Sequence, residues 1–339
     1  MKLDFEQIKS ITTGAVRIEK EGDFVAFYRF TKEQSELYRK TSDYFYQRTL
    51  APAGVRFVFK TNSKTLRLVL KAAKCTSRSY FSFDVCVDGK PIGHIDNFSH
   101  MNLPHNYTEI EFELGEFSKD FLLGDGEKTV CVYFPWSVRP LIKNVEVDDG
   151  SYIEPANQKK KLLVFGDSIT QGYDALRPSG RYASIIADKL GFEEINKGIG
   201  GEVFFPELVR LPESFTPDLI IVAYGSNDWS KKTEEDFKSR CKDFYTSLAE
   251  LYPDTKIFAL TPVWRKDYLG YREFGLFENV EKGIKEAVCH IKNVEVIHGF
   301  DLVPHDEKFY ADFRLHPNDE GYVHYADNLH KKIMLSDLF

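Results

Sequence analysis

Two different patterns of apolar residues divide the chain into an N-terminal and a C-terminal part. In about the first 155 residues, apolar positions alternate with polar ones or form short runs rich in β-branched and aromatic side chains, with turn residues such as Asp88 and Gly89 between them. Short strands at this spacing predict a β-sandwich or jelly roll. The expected strands are 55–59, 66–70, 81–87, 110–114, 130–134 and 142–147.

From about residue 160 the pattern changes to continuous apolar runs separated by longer amphipathic stretches. Continuous runs are typical of strands that are buried on both faces, and their alternation with helices predicts a parallel sheet covered on both sides. The runs are 162–165, 218–224, 256–260 and 294–297, and the expected helices are 181–190, 233–251, 276–291 and 318–333. A polar linker at 148–160 lies between the two patterns, so we expect two domains, 1–155 and 156–339.

Composition narrows the classes of function. Hydrophobic residues make up 42% of the 339 positions, which is enough for full cores, and the formal net charge of -7 argues against a nucleic-acid or acidic-membrane partner. The sequence has no apolar run long enough for a membrane span or for the core of a signal peptide. The five cysteines are scattered and show no paired spacing, which predicts reduced thiols in a cytoplasmic protein rather than a disulfide framework or a zinc site.

A serine follows the first of the continuous apolar runs. Ser168 stands directly after strand 162–165 and before a helix, and reactive groups collect at the carboxyl ends of strands in open α/β sheets. The same position also suits a serine that only caps the next helix. Ser168 is therefore a candidate nucleophile that needs a base to support it.

Among the nine histidines, His316 is the best candidate for that base. It lies in a loop before the last helix, and Pro317 keeps it out of helical geometry. Asp312 is close enough in sequence to orient the imidazole. The alternative is an ordinary surface histidine.

Two further segments offer donors for an oxyanion. The glycines at 198, 200 and 201 follow a short strand near Ile195 and could let a backbone N–H approach a ligand. Asn227 follows strand 218–224 and could donate its side-chain amide, while Asp228 is expected to fix the loop. Each segment alone could also be an ordinary turn or cap, but together they place four reactive groups at the ends of successive strands.

The segments GDSITQGYDA, NKGIGGEVF, AYGSND and DFRLHPNDEG resemble, in this order, the four sequence blocks of the SGNH, or GDSL-like, hydrolase superfamily. The resemblance covers about residues 160–335. It implies a flavodoxin-like three-layer α/β/α fold, with Ser168 as nucleophile and His316 as general base. The implied oxyanion hole consists of the Ser168 and Gly201 N–H groups and the Asn227 side chain, and the chemistry requires no metal or other cofactor.

One position departs from the family pattern. The family usually has its aspartate three residues before the histidine, where this chain has Phe313. Asp312 could still serve if the loop holds one extra residue, or a different acceptor, such as a backbone carbonyl, could orient His316. We favour Asp312.

With its N-terminal β-domain, the chain is similar to two-domain carbohydrate acetylesterases, in which a jelly roll precedes the SGNH domain. This resemblance implies a serine esterase that removes short acyl groups, most simply acetyl, from a small molecule or an oligosaccharide. Further candidates for substrate contact are Asp167, Trp264 and Arg265, although packing is the simpler role for the last two. The aromatic segment 38–46 could be a sugar platform, but core or inter-domain packing is again simpler.

Three alternatives stay open. The protein could be a thioesterase or lysophospholipase that acts on longer acyl chains, or a carbohydrate-binding protein with a degenerate hydrolase domain. The N-terminal domain could also only shield the sheet or form the interface of a homo-oligomer.

Overall fold

The N-terminal part of the computed structural model, which describes residues 1–336, is a sandwich of two antiparallel sheets. One sheet has the order β1-β4-β9-β6-β7, with β11 paired to β4, and the other has the order β2-β3-β10-β5-β8. Side chains of both sheets, such as Phe57, Leu68 and Val132, fill one shared core. The strands are β1 (Thr12–Thr13), β2 (Arg17–Glu21), β3 (Phe24–Tyr28), β4 (Arg56–Thr61), β5 (Thr65–Lys74), β6 (Ser82–Val87), β7 (Lys90–Asp96), β8 (Gly115–Leu122), β9 (Lys128–Tyr133), β10 (Val138–Val147) and β11 (Glu154–Pro155).

The predicted strand at 110–114 is wrong. The apolar alternation is real, because Phe112 is buried between two exposed neighbours, but this stretch pairs with no strand. Side chains take the place of a neighbouring strand: the Ser79 hydroxyl accepts from the Phe112 N–H at 2.7 Å, and the Asn97 amide donates to the Glu113 carbonyl at 2.9 Å. The strand in this region is β8, which begins at Gly115.

The sandwich also carries three helices, so this part is not purely β-structure as expected. They are α1 (Phe5–Ser10), α2 (Lys32–Thr41) and α3 (Asp43–Thr49). Both α1 and α2 begin with a capping box, in which Asp4 and Thr31 each accept a backbone N–H and a glutamine three residues later returns the bond. The aromatic segment 38–46 therefore lies on α2 and α3.

The C-terminal part has a parallel five-stranded sheet between two layers of helices. The sheet has the order β13-β12-β14-β15-β16, which is the flavodoxin-like order 2-1-3-4-5. The strands are β12 (Lys160–Gly166), β13 (Phe192–Asn196), β14 (Leu219–Ala223), β15 (Lys256–Leu260) and β16 (Val294–Ile297). The helices are α4 (Ser168–Gln171), α5 (Tyr182–Leu190), α6 (Pro206–Val209), α7 (Ser226–Lys231), α8 (Glu234–Leu251), α9 (Glu278–Val288) and α10 (Asp319–Met334). The predicted boundary at 155/156 falls between β11 and β12.

Buried polar contacts join the two parts next to the parallel sheet. The fully buried Arg29, just after β3, donates to the carbonyl oxygens of Asn196 and Gly198 at 2.8 and 3.0 Å. In return, Lys197 donates to the Arg29 carbonyl at 2.6 Å. The N-terminal part therefore holds the loop that leaves β13.

No helix within residues 1–336 has the length and apolar character needed to cross a membrane.

Candidate active site

Ser168 begins α4 immediately beyond the carboxyl end of β12. The Asp167 side chain caps this helix by accepting the Ile169 N–H at 3.0 Å. Ser168 is buried, with 6% of its surface exposed. The cap and the strand end thus fix the hydroxyl above the sheet.

His316 meets Ser168 across 148 positions of sequence. Its Nε2 lies 2.9 Å from the Ser168 Oγ, and its Nδ1 lies 2.9 Å from an Asp312 carboxylate oxygen. The other Asp312 oxygen accepts the His316 N–H at 3.0 Å, and also the N–H of Leu315 at 2.7 Å. Serine, histidine and aspartate therefore form a continuous hydrogen-bonded chain of the kind that activates a serine.

The loop before His316 accommodates its extra residue through a left-handed turn. Phe313 has a φ of +54°, which is uncommon for a residue other than glycine, and its ring is 46% exposed. Turning Phe313 outward lets Asp312 reach the imidazole from four residues away. The structure thus brings the Asp312 carboxylate, one of the two acceptors considered, to the His316 Nδ1.

A second carboxylate, which the sequence analysis missed, also faces His316. An oxygen of Asp174 lies 3.2 Å from the His316 Nδ1, and the Asp174 side chain has no exposed surface. The N-terminal sandwich holds this carboxylate: Arg78 binds both of its oxygens, at 2.7 and 3.0 Å, and the Tyr80 hydroxyl donates to one at 2.7 Å.

The two carboxylates control the charge of the imidazole. Burial alone would lower the pKa of His316, but Asp174, followed by Asp312, raises it to about 9. Burial likewise opposes ionisation of Asp174, yet His316 and Arg78 hold the pKa of Asp174 well below its usual range. The imidazolium form of His316 is thus strongly stabilised at this position.

The loop after β13 contains an N–H group that is free for a ligand. Gly201 has a φ of +86°, which favours glycine, and its N–H finds no acceptor within residues 1–336. The preceding residue is tied to α4, because the Gly200 N–H donates to the Gln171 side chain at 2.8 Å. Gly198 packs so closely on α4 that a Cβ there would stand 2.5 Å from the Gln171 nitrogen.

Asn227 and Lys231 lie one turn apart on α7 and both contact this loop. The Asn227 amide donates one hydrogen to the Glu202 carbonyl at 3.0 Å, which leaves its second hydrogen available. Lys231 donates to the Gly201 carbonyl at 2.5 Å. Asp228, as expected, fixes the loop, since its carboxylate accepts the Phe204 N–H at 3.2 Å. The spacing of four residues could have identified Lys231 from the sequence.

An exposed tyrosine from the N-terminal part stands over the same loop. The Tyr44 hydroxyl lies 3.4 Å from where a Cβ on Gly201 would be, and 54% of Tyr44 is exposed. The Arg48 guanidinium stacks on the Tyr44 ring at 3.4 Å from its centroid, which holds the ring in place. Tyr38, in contrast, is fully buried and packs against Phe30 and Phe205.

The three candidates for substrate contact are buried and have other partners. Trp264 is 7% exposed and stacks on His305, while Arg265 is 1% exposed and binds Asp267 and Ser226. These contacts favour the packing role for both. Asp167 is the helix cap of α4, and burial raises its pKa to about 6.

Only the group formed by Asp174, Asp312 and His316 has ligand atoms close enough together to suit a metal ion within residues 1–336. Those atoms already have partners. Arg78 occupies both oxygens of Asp174, and its positive charge stands where a cation would compete. The donor set fits an acid–histidine arrangement better than a metal site.

Comparison with known proteins gives the same architecture. The GDSL-like lipase/acylhydrolase family model matches residues 164–323, whereas no curated protein matches the sequence. A salicylyl-acyltransferase from a tetracycline biosynthetic pathway superposes with a TM-score of 0.80 at 19% identity, covering 95% of this chain and 93% of that one.

Two carbohydrate esterases are also similar. A family two carbohydrate esterase from Clostridium thermocellum, in complex with cellohexaose, gives a TM-score of 0.61 at 16% identity, with coverage of 83% and 92%. An acetyl xylan esterase from the rumen bacterium Butyrivibrio proteoclasticus gives 0.55 at 19% identity, with coverage of 83% and 89%. At these identities the likeness shows a shared fold.

Proposed function

Because residues 164–323 form a GDSL-like lipase/acylhydrolase domain, we propose that the chain is a serine esterase. It removes short acyl groups from a carbohydrate, and acetyl is the preferred group. The observation that carries this proposal is the chain from Ser168 through His316 to Asp312, with both links at 2.9 Å. A hydroxyl with a base in reach, and a base with an orienting carboxylate, can perform acyl transfer.

The proposed reaction has two halves. In the first, His316 takes the Ser168 proton at Nε2 while the Ser168 oxygen bonds to the ester carbonyl carbon. The oxyanion that forms accepts from the N–H groups of Ser168 and Gly201 and from the Asn227 amide. When the C–O bond to the alcohol breaks, His316 returns the proton to that alcohol. In the second half, water replaces the alcohol and releases the carboxylic acid from Ser168.

A fluorophosphonate probe tests the nucleophile directly. The probe forms a covalent bond only with an activated serine, so we expect one adduct per chain, located on Ser168 by peptide mass spectrometry. Asp312→Asn should slow labelling because His316 loses an orienting carboxylate. A chain that stays unlabelled would favour the carbohydrate-binding protein with a degenerate site, and an adduct on another serine would show that Ser168 is not the nucleophile.

The acetyl preference is tested with a series of p-nitrophenyl esters from C2 to C12. We expect kcat/KM to be highest at C2 and to fall with chain length. A maximum at C8 or beyond would support the thioesterase or lysophospholipase alternative instead. The natural substrate can then be sought by mass loss across acetylated oligosaccharides.

Tyr44 supports the carbohydrate part of the proposal, because an exposed ring beside the glycine loop can stack on a sugar. We expect Tyr44→Ala to raise KM for an acetylated oligosaccharide by roughly tenfold, which corresponds to about 1.4 kcal/mol of lost binding. KM for p-nitrophenyl acetate should change little. Tyr152→Ala, at a partly exposed tyrosine of the sandwich that binds Glu127, is the control. Equal changes on both substrates would remove Tyr44 from the substrate site.

Acyl transfer to an alcohol is a second candidate, favoured by the superposition on an acyltransferase at a TM-score of 0.80. The same acyl-serine would form, and a hydroxyl-bearing acceptor would replace water. Hydrolysis of p-nitrophenyl acetate in the presence of glycerol or a disaccharide distinguishes the two by the products.

A cytoplasmic location remains part of our proposal, in agreement with five cysteines that form no disulfide.

A further inference from the structure

We infer that Asp174, held by Arg78 and Tyr80 of the N-terminal sandwich, is a second positioning carboxylate for His316, so that the sandwich completes the proton-transfer apparatus. The inference rests on the proposed function, since it assigns a role at the same histidine. It also gives the sandwich a part in catalysis beyond shielding the sheet or binding sugar.

The geometry places Asp174 and Asp312 on the same ring nitrogen. The Nδ1 of His316 lies 2.9 Å from an oxygen of Asp312, to which it is hydrogen-bonded, and 3.2 Å from an oxygen of Asp174, within ion-pair distance. The two acids come from different loops: Asp312 precedes His316, whereas Asp174 follows α4. The imidazole is therefore held from two sides, which fixes both its tautomer and its tilt toward Ser168.

The backbone of Asp174 has an uncommon conformation that residues of the sandwich hold in place. Asp174 has a φ of +70°, a conformation uncommon outside glycine, in a segment whose carbonyl accepts from the Tyr107 hydroxyl at 3.1 Å. Strained backbone persists where its surroundings impose it. Here the surroundings are Arg78, Tyr80 and Tyr107, all from the sandwich.

The negative charge of the second carboxylate stabilises the protonated form of His316. The titratable groups around His316 are Asp312 on its own loop, Asp174 and the Tyr173 ring after α4, and Asp167 at the start of α4. Arg78 offsets one of the negative charges. When His316 accepts the serine proton, its new positive charge meets a pair of buried or half-buried carboxylates, so the transition state gains stabilisation that a single acid would not provide.

The sign of the pH dependence follows. The base must be neutral, so kcat/KM rises with pH as His316 loses its proton, and this acid limb should lie well above pH 6.5. Asp174→Asn removes one negative charge and should move the limb to lower pH by on the order of one unit. The plateau above the limb should fall roughly three- to tenfold, because a less basic imidazole accepts the proton less readily. KM should not change, since the fully buried Asp174 side chain cannot touch a substrate.

The experiment is the pH profile of kcat/KM for p-nitrophenyl acetate in the full chain, with Ser168→Ala giving the background rate at each pH. Asp120→Asn and Arg67→Met are matched controls, because these two residues form an exposed ion pair on the sandwich. Arg78→Met is the second test variant. It removes the positive charge that offsets the Asp174 carboxylate, so it should also move the limb. If the ion pair between Arg78 and Asp174 were only structural, its loss in these variants would lower the melting temperature but leave the limb in place.

The outcomes separate this inference from the proposed function. A Ser168→Ala variant that keeps its activity refutes the proposed function itself. An inactive Ser168→Ala variant, together with an unmoved limb in Asp174→Asn and Arg78→Met, overturns only the role of Asp174. Should either variant fail to fold, NMR titration of His316 in the Asp312→Asn chain decides, because Asp174 is then the remaining carboxylate beside Nδ1, with His316→Gln identifying the signal. A midpoint near 6.5 would then overturn the inference, and a midpoint well above it would support it.

Discussion

Replacing Ser168 with alanine is expected to reduce kcat for p-nitrophenyl acetate by roughly 10⁴- to 10⁶-fold. The Ser168 hydroxyl is the atom that would bond to the acyl carbon, and its removal leaves His316 with no proton to take from the enzyme. The residual rate would come from whatever oxyanion donors and binding contacts remain. Stopped-flow or steady-state release of p-nitrophenol measures the loss.

The control is Ser118→Ala, at an exposed serine on β8, which should retain the wild-type rate. The Ser168 variant should also keep the wild-type melting temperature, since within residues 1–336 its hydroxyl is hydrogen-bonded only to His316. Turnover within tenfold of wild type would eliminate Ser168 as the nucleophile.

Replacing Asn227 with alanine is expected to lower kcat by about 100- to 1000-fold. The Asn227 amide would donate to the oxyanion, a charge that exists only in the transition state, so KM should change far less than kcat. The expected result is therefore a split between the two constants, measured on p-nitrophenyl acetate at a pH above the acid limb.

Asn227 also donates to the Glu202 carbonyl, so its loss could disturb the glycine loop without any role in the oxyanion hole. Lys231→Met tests that possibility, because it removes the neighbouring contact to the Gly201 carbonyl from the same helix. A kcat loss for Asn227→Ala no greater than that for Lys231→Met would assign both residues to loop support. Asn157→Ala, at an exposed asparagine that binds the Ser10 carbonyl, serves as the neutral control.

The sequence best predicted those features of the fold that depend on a single strand or helix. Continuous apolar runs indicated the parallel strands because burial on both faces leaves no room for polar alternation. The positions of Ser168 and Asn227 followed from the rule that strand ends meet at one edge of the sheet. The alternation at 110–114 misled for the opposite reason: it reports which side chains are buried, and it does not report whether another strand is within reach.

The features that sequence could not predict depend on residues far apart in the chain. Asp174 looks like an ordinary loop acid until Arg78, 96 positions earlier, is found on its carboxylate. The extra residue before His316 could be noticed, but only the left-handed backbone of Phe313 explains how the loop absorbs it. Helices α2 and α3 were missed, although Thr31 followed three residues later by Gln34 is a helix-start signal that the sequence carries for α2.

Arg29 has a consequence for any attempt to divide the protein. Its guanidinium supplies donors to the carbonyl groups of Asn196 and Gly198, so in a fragment lacking the first 155 residues water would replace this fixed donor at the glycine loop. The sandwich therefore helps to hold the glycine loop in place. Exchanging it for the β-domain of a protein of the same fold should therefore lower turnover unless the incoming domain carries an arginine at the position of Arg29.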